Sequence, residues 1–275
     1  MSQYLAAHTR DSYLPPFGNC EGQMVPSVKK IMRNKPWESS SVFDWQFIKK
    51  EWDTLAIDQK KSSFIECSPP NIMRVSSILD SFEDRQYIFS ISSPYSFIAS
   101  CIYNYFSARN GRIFKWRGIA YDHMFLKFDD MIPIVAETWV KMASIQKNNI
   151  ELYGRNKLII NYEDFCANPI KLLDLFNVEY LGENAQTSLI KGKGNSNISQ
   201  ISNMLPKHLN FLRDKGISQI NSILKKSMGL MEWHGYSLIS TEDSEDILAG
   251  NVVLALDGKR RRTDFDEGIK SLINN

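Results

Sequence analysis

Residues 88–100, IFSISSPYSFIAS, constrain the fold of this chain more than any other stretch. The segment Tyr87-Ile88-Phe89-Ser90-Ile91 is short and rich in aromatic and β-branched residues, as a buried strand is. The apolar run then breaks at Ser92-Ser93-Pro94. It resumes with side chains at Phe97, Ile98, Cys101, Ile102, Tyr105 and Phe106, the spacing of one helix face. Ser93 suits the cap of that helix, and Pro94 suits its first position, where no amide hydrogen is needed. A strand that turns directly into a helix belongs to α/β folds. The amides left open at the helix start make a place where phosphate binds.

The same alternation runs along the rest of the chain. Residues 2–8 read as the last turns of a helix, and YLPPFGNCEGQMVP as a loop that carries Glu21. In SSSVFDWQFIKKEWDTL, Ser41 with Asp44 three residues later predicts a capped helix with Phe43, Phe47, Ile48 and Trp52 on its apolar stripe. Phe64-Ile65 predicts a short strand that enters the proline turn of IECSPPN, and 74–82 a short helix. A further helix is expected over 132–145, a buried strand at Leu158-Ile159-Ile160 followed by a polar turn, and a helix opening at Asn168-Pro169. Residues 191–197 read as a basic loop and 217–231 as an amphipathic helix. Strands alternating with helices predict an α/β fold with a parallel sheet flanked by helices. Residues 1–240 are expected to form one domain and 241–275 an appendage, acidic at Glu242, Asp243, Glu245 and Asp246 and basic from Lys259 to Arg262. The basic run reads as solvated surface.

Composition narrows the function classes. A formal net charge of +2 gives no electrostatic case for nucleic acid. The cysteines Cys20, Cys67, Cys101 and Cys166 stand far apart in sequence, so neither a zinc site nor a dithiol motif is expected. His8, His123, His208 and His234 fall in no metal or triad spacing and read as structural or surface residues. The sequence contains no apolar run long enough to span a membrane, and MSQYLAAHTRDSY lacks the pattern of a secretory leader. The expectation is a chain of the reducing cytoplasm with no metal and no membrane.

Four pieces, in order, resemble the sulfotransferase family, which moves a sulfuryl group from 3'-phosphoadenylyl sulfate to an acceptor. IECSPPN resembles the family's Glu-Lys-Ser/Thr-Pro turn. YIFSISSPYSFIAS resembles its 3'-phosphate-binding strand, turn and helix, and LIINYEDFCANPIKLLDLF its strand, Tyr-Glu-Asp and Pro-led helix. KGKGNSN, with the later GLMEWHGY, resembles its late basic loop and terminal helix. The resemblance implies the phosphate-loop type of fold. MSQYLAAHT resembles the end of the helix that follows the phosphate loop, and the resemblance implies that the loop and the first strand are absent from this sequence, through truncation or true loss.

The resemblance also implies roles. Ser100, six residues past Pro94, matches the serine that contacts the 3'-phosphate, and Ser92 stands where the family has an arginine. Lys191, Gly192 and Lys193 match the loop that brings positive charge to that phosphate, and Tyr162 matches a tyrosine near the adenine. Glu21 matches the base that takes the acceptor's proton. Each has a plainer reading: Ser100 facing a neighbouring helix, Tyr162 in the core, Glu21 as a loop carboxylate and the lysines as solvated. Cys67 replaces a lysine that stabilises charge on the transferring group, and a neutral thiol cannot do so. Three functions remain: a sulfotransferase acting on a hydroxyl or amine of a saccharide, peptide or small metabolite; an inactive relative that keeps the fold and binds a partner or nucleotide; and a small kinase with Asp164 on magnesium.

Overall fold

The computed structural model of the chain describes residues 1–17, 20–32, 37, 43–83, 85–108, 127–153, 159–182, 201 and 203–249. In chain order these form α1 (Ser2–His8), β1 (Ser12–Tyr13), a 3-10 turn (Gly22–Met24), α2 (Pro26–Met32), α3 (Trp45–Asp58), β2 (Ser63–Phe64), a second 3-10 turn (Pro69–Met73), α4 (Val75–Ser81), β3 (Phe89–Ile91) and α5 (Pro94–Ala108). There follow α6 (Phe128–Tyr153), β4 (Ile159–Asn161), α7 (Tyr162–Ala167), α8 (Ile170–Leu175), α9 (Leu205–Leu224), a third 3-10 turn (Lys225–Ser227), α10 (Met228–Trp233) and α11 (Thr241–Ala249). β1 pairs with β2 in parallel, Ser12 opposite Ser63 and Tyr13 opposite Phe64, while β3 pairs with β4. The chain is mostly helical with small sheets, which is compatible with an α/β fold. Among the described residues two two-stranded sheets stand where one helix-flanked sheet was expected. Strands of two or three residues bury little, and the helices supply most of the apolar faces. Among the described residues no helix is long and apolar enough to cross a membrane.

The chain divides into two compact units. The first comprises 1–90, 145–160 and 168–201, and the second comprises 91–144, 161–167 and 202–275. The core of the first gathers Val25, Val28 and Met32 with Phe43, Trp45, Ile48 and Trp52. The N-cap of α3 is Asp44, whose side chain accepts from the Phe47 amide at 2.9 Å, while Ser41 lies outside the described residues. That frame turns Trp45 inward and leaves Phe47 37% exposed, so Phe47 is not part of the apolar stripe. Trp52 stacks on Phe64 and Phe82, with ring centroids 5.3 and 5.7 Å away, and so joins α3 to β2 and to the end of α4. Asn149 donates to the Ile72 carbonyl at 2.7 Å and Gln146 to the Ser90 carbonyl at 3.1 Å, which fixes the last turns of α6 within this unit.

In the second unit, Ile98, Cys101 and Ile102 of α5 pack with Met131, Ile132, Val135, Ala136 and Trp139 of α6 and with Leu209, Leu212, Ile220 and Leu224 of α9. The apolar spacing that predicted α5 is the face it buries; the side chain of Phe106 lies outside the described residues. The last expected helix begins earlier than residue 217. α9 opens at Leu205 and passes through Arg213, whose φ of 54° and ψ of 178° interrupt the helix. The expected polar turn after β4 is instead the helix α7, entered directly from the strand. Beyond residue 240, α11 continues the unit: Ser244 is buried and Ile247 packs on the same core. Leu158 and the basic run at 259–262 lie outside the described residues.

A polar clasp closes this unit. The Tyr95 hydroxyl donates to Asn221 Oδ1 at 2.5 Å and accepts from the Ile239 amide at 2.8 Å, and Asn221 Nδ2 donates to the Ile239 carbonyl at 2.9 Å. Tyr95 is 1% exposed, so its loss would strand buried partners. Tyr95→Phe is expected to cost about 1–3 kcal/mol, because an amide and a side-chain oxygen lose their partner out of reach of water. Urea unfolding followed by circular dichroism measures the cost.

Candidate functional site

Two groups of polar side chains carry the chemistry. The first lies in the first unit, where the turn Glu21-Gly22-Gln23 meets the turn that runs from Glu66 to Asn71. The Glu66 carboxylate accepts from the Gly22 amide, from the Ser68 amide at 2.7 Å and from Asn71 Nδ2 at 2.9 Å. The Ser68 hydroxyl accepts from the Gln23 amide at 3.2 Å. The Cys67 thiol donates to the Cys20 carbonyl at 2.9 Å, and Trp52 Nε1 to the Gly22 carbonyl at 3.2 Å. The bonds from Gly22 to Glu66, from Gln23 to Ser68 and from Cys67 to Cys20 join residues 44 to 47 positions apart, and the first two satisfy amides that a tight turn cannot pair within itself. Gly22 is required by the approach: a Cβ there would stand 1.9 Å from Glu66 Oε2.

Glu21 is 7% exposed, and its Oε2 accepts from Gln23 Nε2 at 2.5 Å. It is a sheltered carboxylate with an amide partner, rather than a solvated loop residue. Burial pushes the Glu66 carboxyl above the usual carboxylate range, against the pull of its bonds from Ser68, Asn71 and Gly22. Burial, with Glu66 next to it, pushes the Cys67 thiol up to about 12. Cys67 is therefore a neutral thiol, neither a cation nor a ready nucleophile. Arg74 is fully buried with its guanidinium 4.5 Å from the Phe43 ring centroid. Burial brings it down to about 10, and Glu66 opposes the drop.

The second group lies in the second unit, at the start of α5. The Ser93 amide donates to Glu163 Oε1 at 3.0 Å, and the Phe97 amide returns to the Ser93 carbonyl at 2.9 Å. Glu163 Oε2 accepts from the Tyr236 hydroxyl at 2.7 Å, with the Ile91 carbonyl 3.3 Å from the same hydroxyl. Burial and the Glu163 carboxylate raise Tyr236, which stays protonated and donating. Of the helix-start amides expected to be open for phosphate, that of Ser93 therefore already has a carboxylate on it. The Ser92 carbonyl accepts from Trp139 Nε1 at 3.1 Å. Ser100, half-buried on α5, has Asn104 Nδ2 3.4 Å from its hydroxyl. Tyr162 opens α7, its ring 6.4 Å from that of Phe165, and burial raises its hydroxyl, followed by the effect of Cys166.

Of the expected site residues, Ser92, Ser100 and Tyr162 thus belong to the second unit and Glu21 to the first, while Lys191, Gly192 and Lys193 lie outside the described residues. The bond from Ser93 to Glu163 ties the segment carrying Ser92 to the one carrying Tyr162. Glu66, Arg74, Glu163 and Tyr236 organise these groups and were not singled out by sequence reasoning. The available signal was a charged residue set inside an apolar or proline-rich stretch, as in FIECSPPN and IINYEDF. Among the described residues, no three or more His, Cys, Asp or Glu side chains are placed to hold a metal ion. The chain matches no protein-family model, no curated protein and no solved structure.

Gly22→Ala is expected to destabilise the first unit by about 2 kcal/mol, because the added methyl displaces a carboxylate held by three donors. The cost should shrink in a Glu66→Ala background, where no carboxylate opposes the methyl. Chemical denaturation of the two single variants and the double variant gives this coupling.

Proposed function

We propose that the chain is a sulfotransferase of the phosphate-loop type, transferring a sulfuryl group from 3'-phosphoadenylyl sulfate to a hydroxyl or amine of a saccharide, peptide or small metabolite. The observation that carries the reading is the pairing of β3 with β4. Two segments far apart in sequence, each resembling a different piece of that family, are neighbouring strands; β3 leads into α5 through Ser92 and Ser93, and β4 runs directly into α7.

Ser100 is the residue of this reading that contacts the 3'-phosphate, with Tyr162 beside the adenine and Lys191, Gly192 and Lys193 supplying the loop that faces the phosphate. The residues present fit the nucleotide in part. Ser100 offers a hydroxyl and Tyr162 an aromatic ring. Ser92 offers no charge in place of an arginine, and the Ser93 amide is already held by Glu163. When bound, the nucleotide supplies the activated sulfuryl group. Glu21, a buried carboxylate, is the residue of this reading that would accept the acceptor's proton.

A second reading, an inactive relative that binds nucleotide or a partner, is favoured by Cys67. A thiol pushed up to about 12 cannot stabilise negative charge on a group in flight. Calorimetry with adenosine 3',5'-bisphosphate and transfer of labelled sulfate from the donor separate the two. Binding with transfer supports the enzyme, and binding without transfer supports the relative. Absence of binding removes both nucleotide readings.

Ser100→Ala is expected to weaken bisphosphate affinity about ten- to a hundredfold, the loss of one hydrogen bond to a charged group, with an unchanged circular dichroism spectrum. Glu21→Gln is expected to abolish sulfate transfer while leaving bisphosphate affinity within about twofold, since a base acts on turnover rather than on nucleotide binding. Retained transfer in Glu21→Gln would end its assignment as the base.

A further inference from the structure

We propose that Cys20 and Cys67 form a reversible disulfide that locks the Glu21 turn to the Glu66 turn when the chain meets an oxidising small-molecule disulfide. The inference concerns the first unit alone and does not depend on sulfotransferase activity.

Both cysteines are free and half-buried. The Cys67 sulfur lies 2.9 Å from the carbonyl oxygen of Cys20 itself, so the Cys67 side chain already reaches the Cys20 backbone. The same two sulfurs meet adjacent residues at the start of α1. Gln3 Nε2 lies 3.5 Å from Cys20 Sγ, and Ser2 hydrogen-bonds the Cys67 side chain. Three contacts therefore place both thiols at one junction of α1 and the two turns. A disulfide needs Cα atoms about 4.4–6.8 Å apart, a separation within reach of a cysteine whose sulfur already bonds the other's carbonyl. Cys20 has a φ of 67°, a left-handed conformation uncommon outside glycine, which marks its turn as held by its surroundings. The other two cysteines serve as internal controls: Cys101 is buried in the core of the second unit, and Cys166 is hydrogen-bonded to Tyr162.

The exchange balances without any further reactant. The Cys20 thiolate attacks one sulfur of the small disulfide, whose S–S bond breaks, and one small thiol leaves with a proton. Cys67 then releases its proton to solvent and attacks Cys20 Sγ, and the second small thiol leaves. Two protein thiols are oxidised and one small disulfide is reduced to two thiols. Because Cys67 is a poor thiolate, the second step is the slow one, and the mixed disulfide on Cys20 precedes the cross-link.

The test is incubation of the full chain with oxidised glutathione in native buffer. Alkylation of the remaining thiols, digestion and mass spectrometry follow. The expected result is the loss of two thiols per chain, a single peptide pair joined through Cys20 and Cys67, and recovery of both thiols with dithiothreitol. Cys67→Ser should stop at glutathione on Cys20, and Cys20→Ser should give no cross-link. The oxidised chain should also melt several degrees above the reduced one. Full alkylation of both cysteines after incubation would overturn the proposal. So would a cross-link to Cys166, or a Cys20–Cys67 link that appears only in urea.

Discussion

A backbone amide in a tight turn, removed from water, must find an acceptor, and each unit of this chain meets that demand with a glutamate from a distant segment. In the first unit Glu66 takes the amides of Gly22 and Ser68. In the second, Glu163 takes the amide of Ser93 and is held in turn by the Tyr236 hydroxyl. Aromatic side chains pack around each turn. Trp52 lies against Phe64 and Phe82 and also donates to the Gly22 carbonyl, while Trp139 reaches the Ser92 carbonyl.

The same constraint shapes the functional reading. The start of a helix attracts any anion, whether the carboxylate of a neighbouring strand's end or the phosphate of a nucleotide. At the start of α5 the Glu163 carboxylate already meets the Ser93 amide, so a nucleotide phosphate there would compete with Glu163 for that amide. Glu21 poses the complementary case. Its burial beside Gln23 suits a base that must take a proton from a docked partner, and also suits a carboxylate that merely steadies its own turn. Turnover, rather than geometry, separates those two roles.

The elements best legible in the sequence were those written in periodic side chains. The strand before Ser92, the proline at the first position of α5 and the face carrying Ile98, Cys101 and Ile102 all stand where the pattern put them. Errors came where periodicity competes with a local detail. A cap one turn along moved Trp45 inward in place of Phe47. The interruption at Arg213 hid the first turns of α9. The Tyr-Glu-Asp segment reads as polar, yet its helix is entered straight from β4. Of the candidate site, the sequence marked Glu21 and the FIECSPPN turn separately, and nothing in either pattern showed that they meet.

The sequence by itself therefore determined the local alternation of strand, turn and helix, because apolar spacing and proline act over a few neighbouring residues. Only the tertiary structure decided that Gly22 and Glu66, 44 residues apart, close one turn on another, and that Ser93 and Glu163, 70 residues apart, close a helix start. Hydrogen bonds between such distant groups leave no period in the sequence. They form because folding shelters these amides from water and brings an acceptor within reach of each.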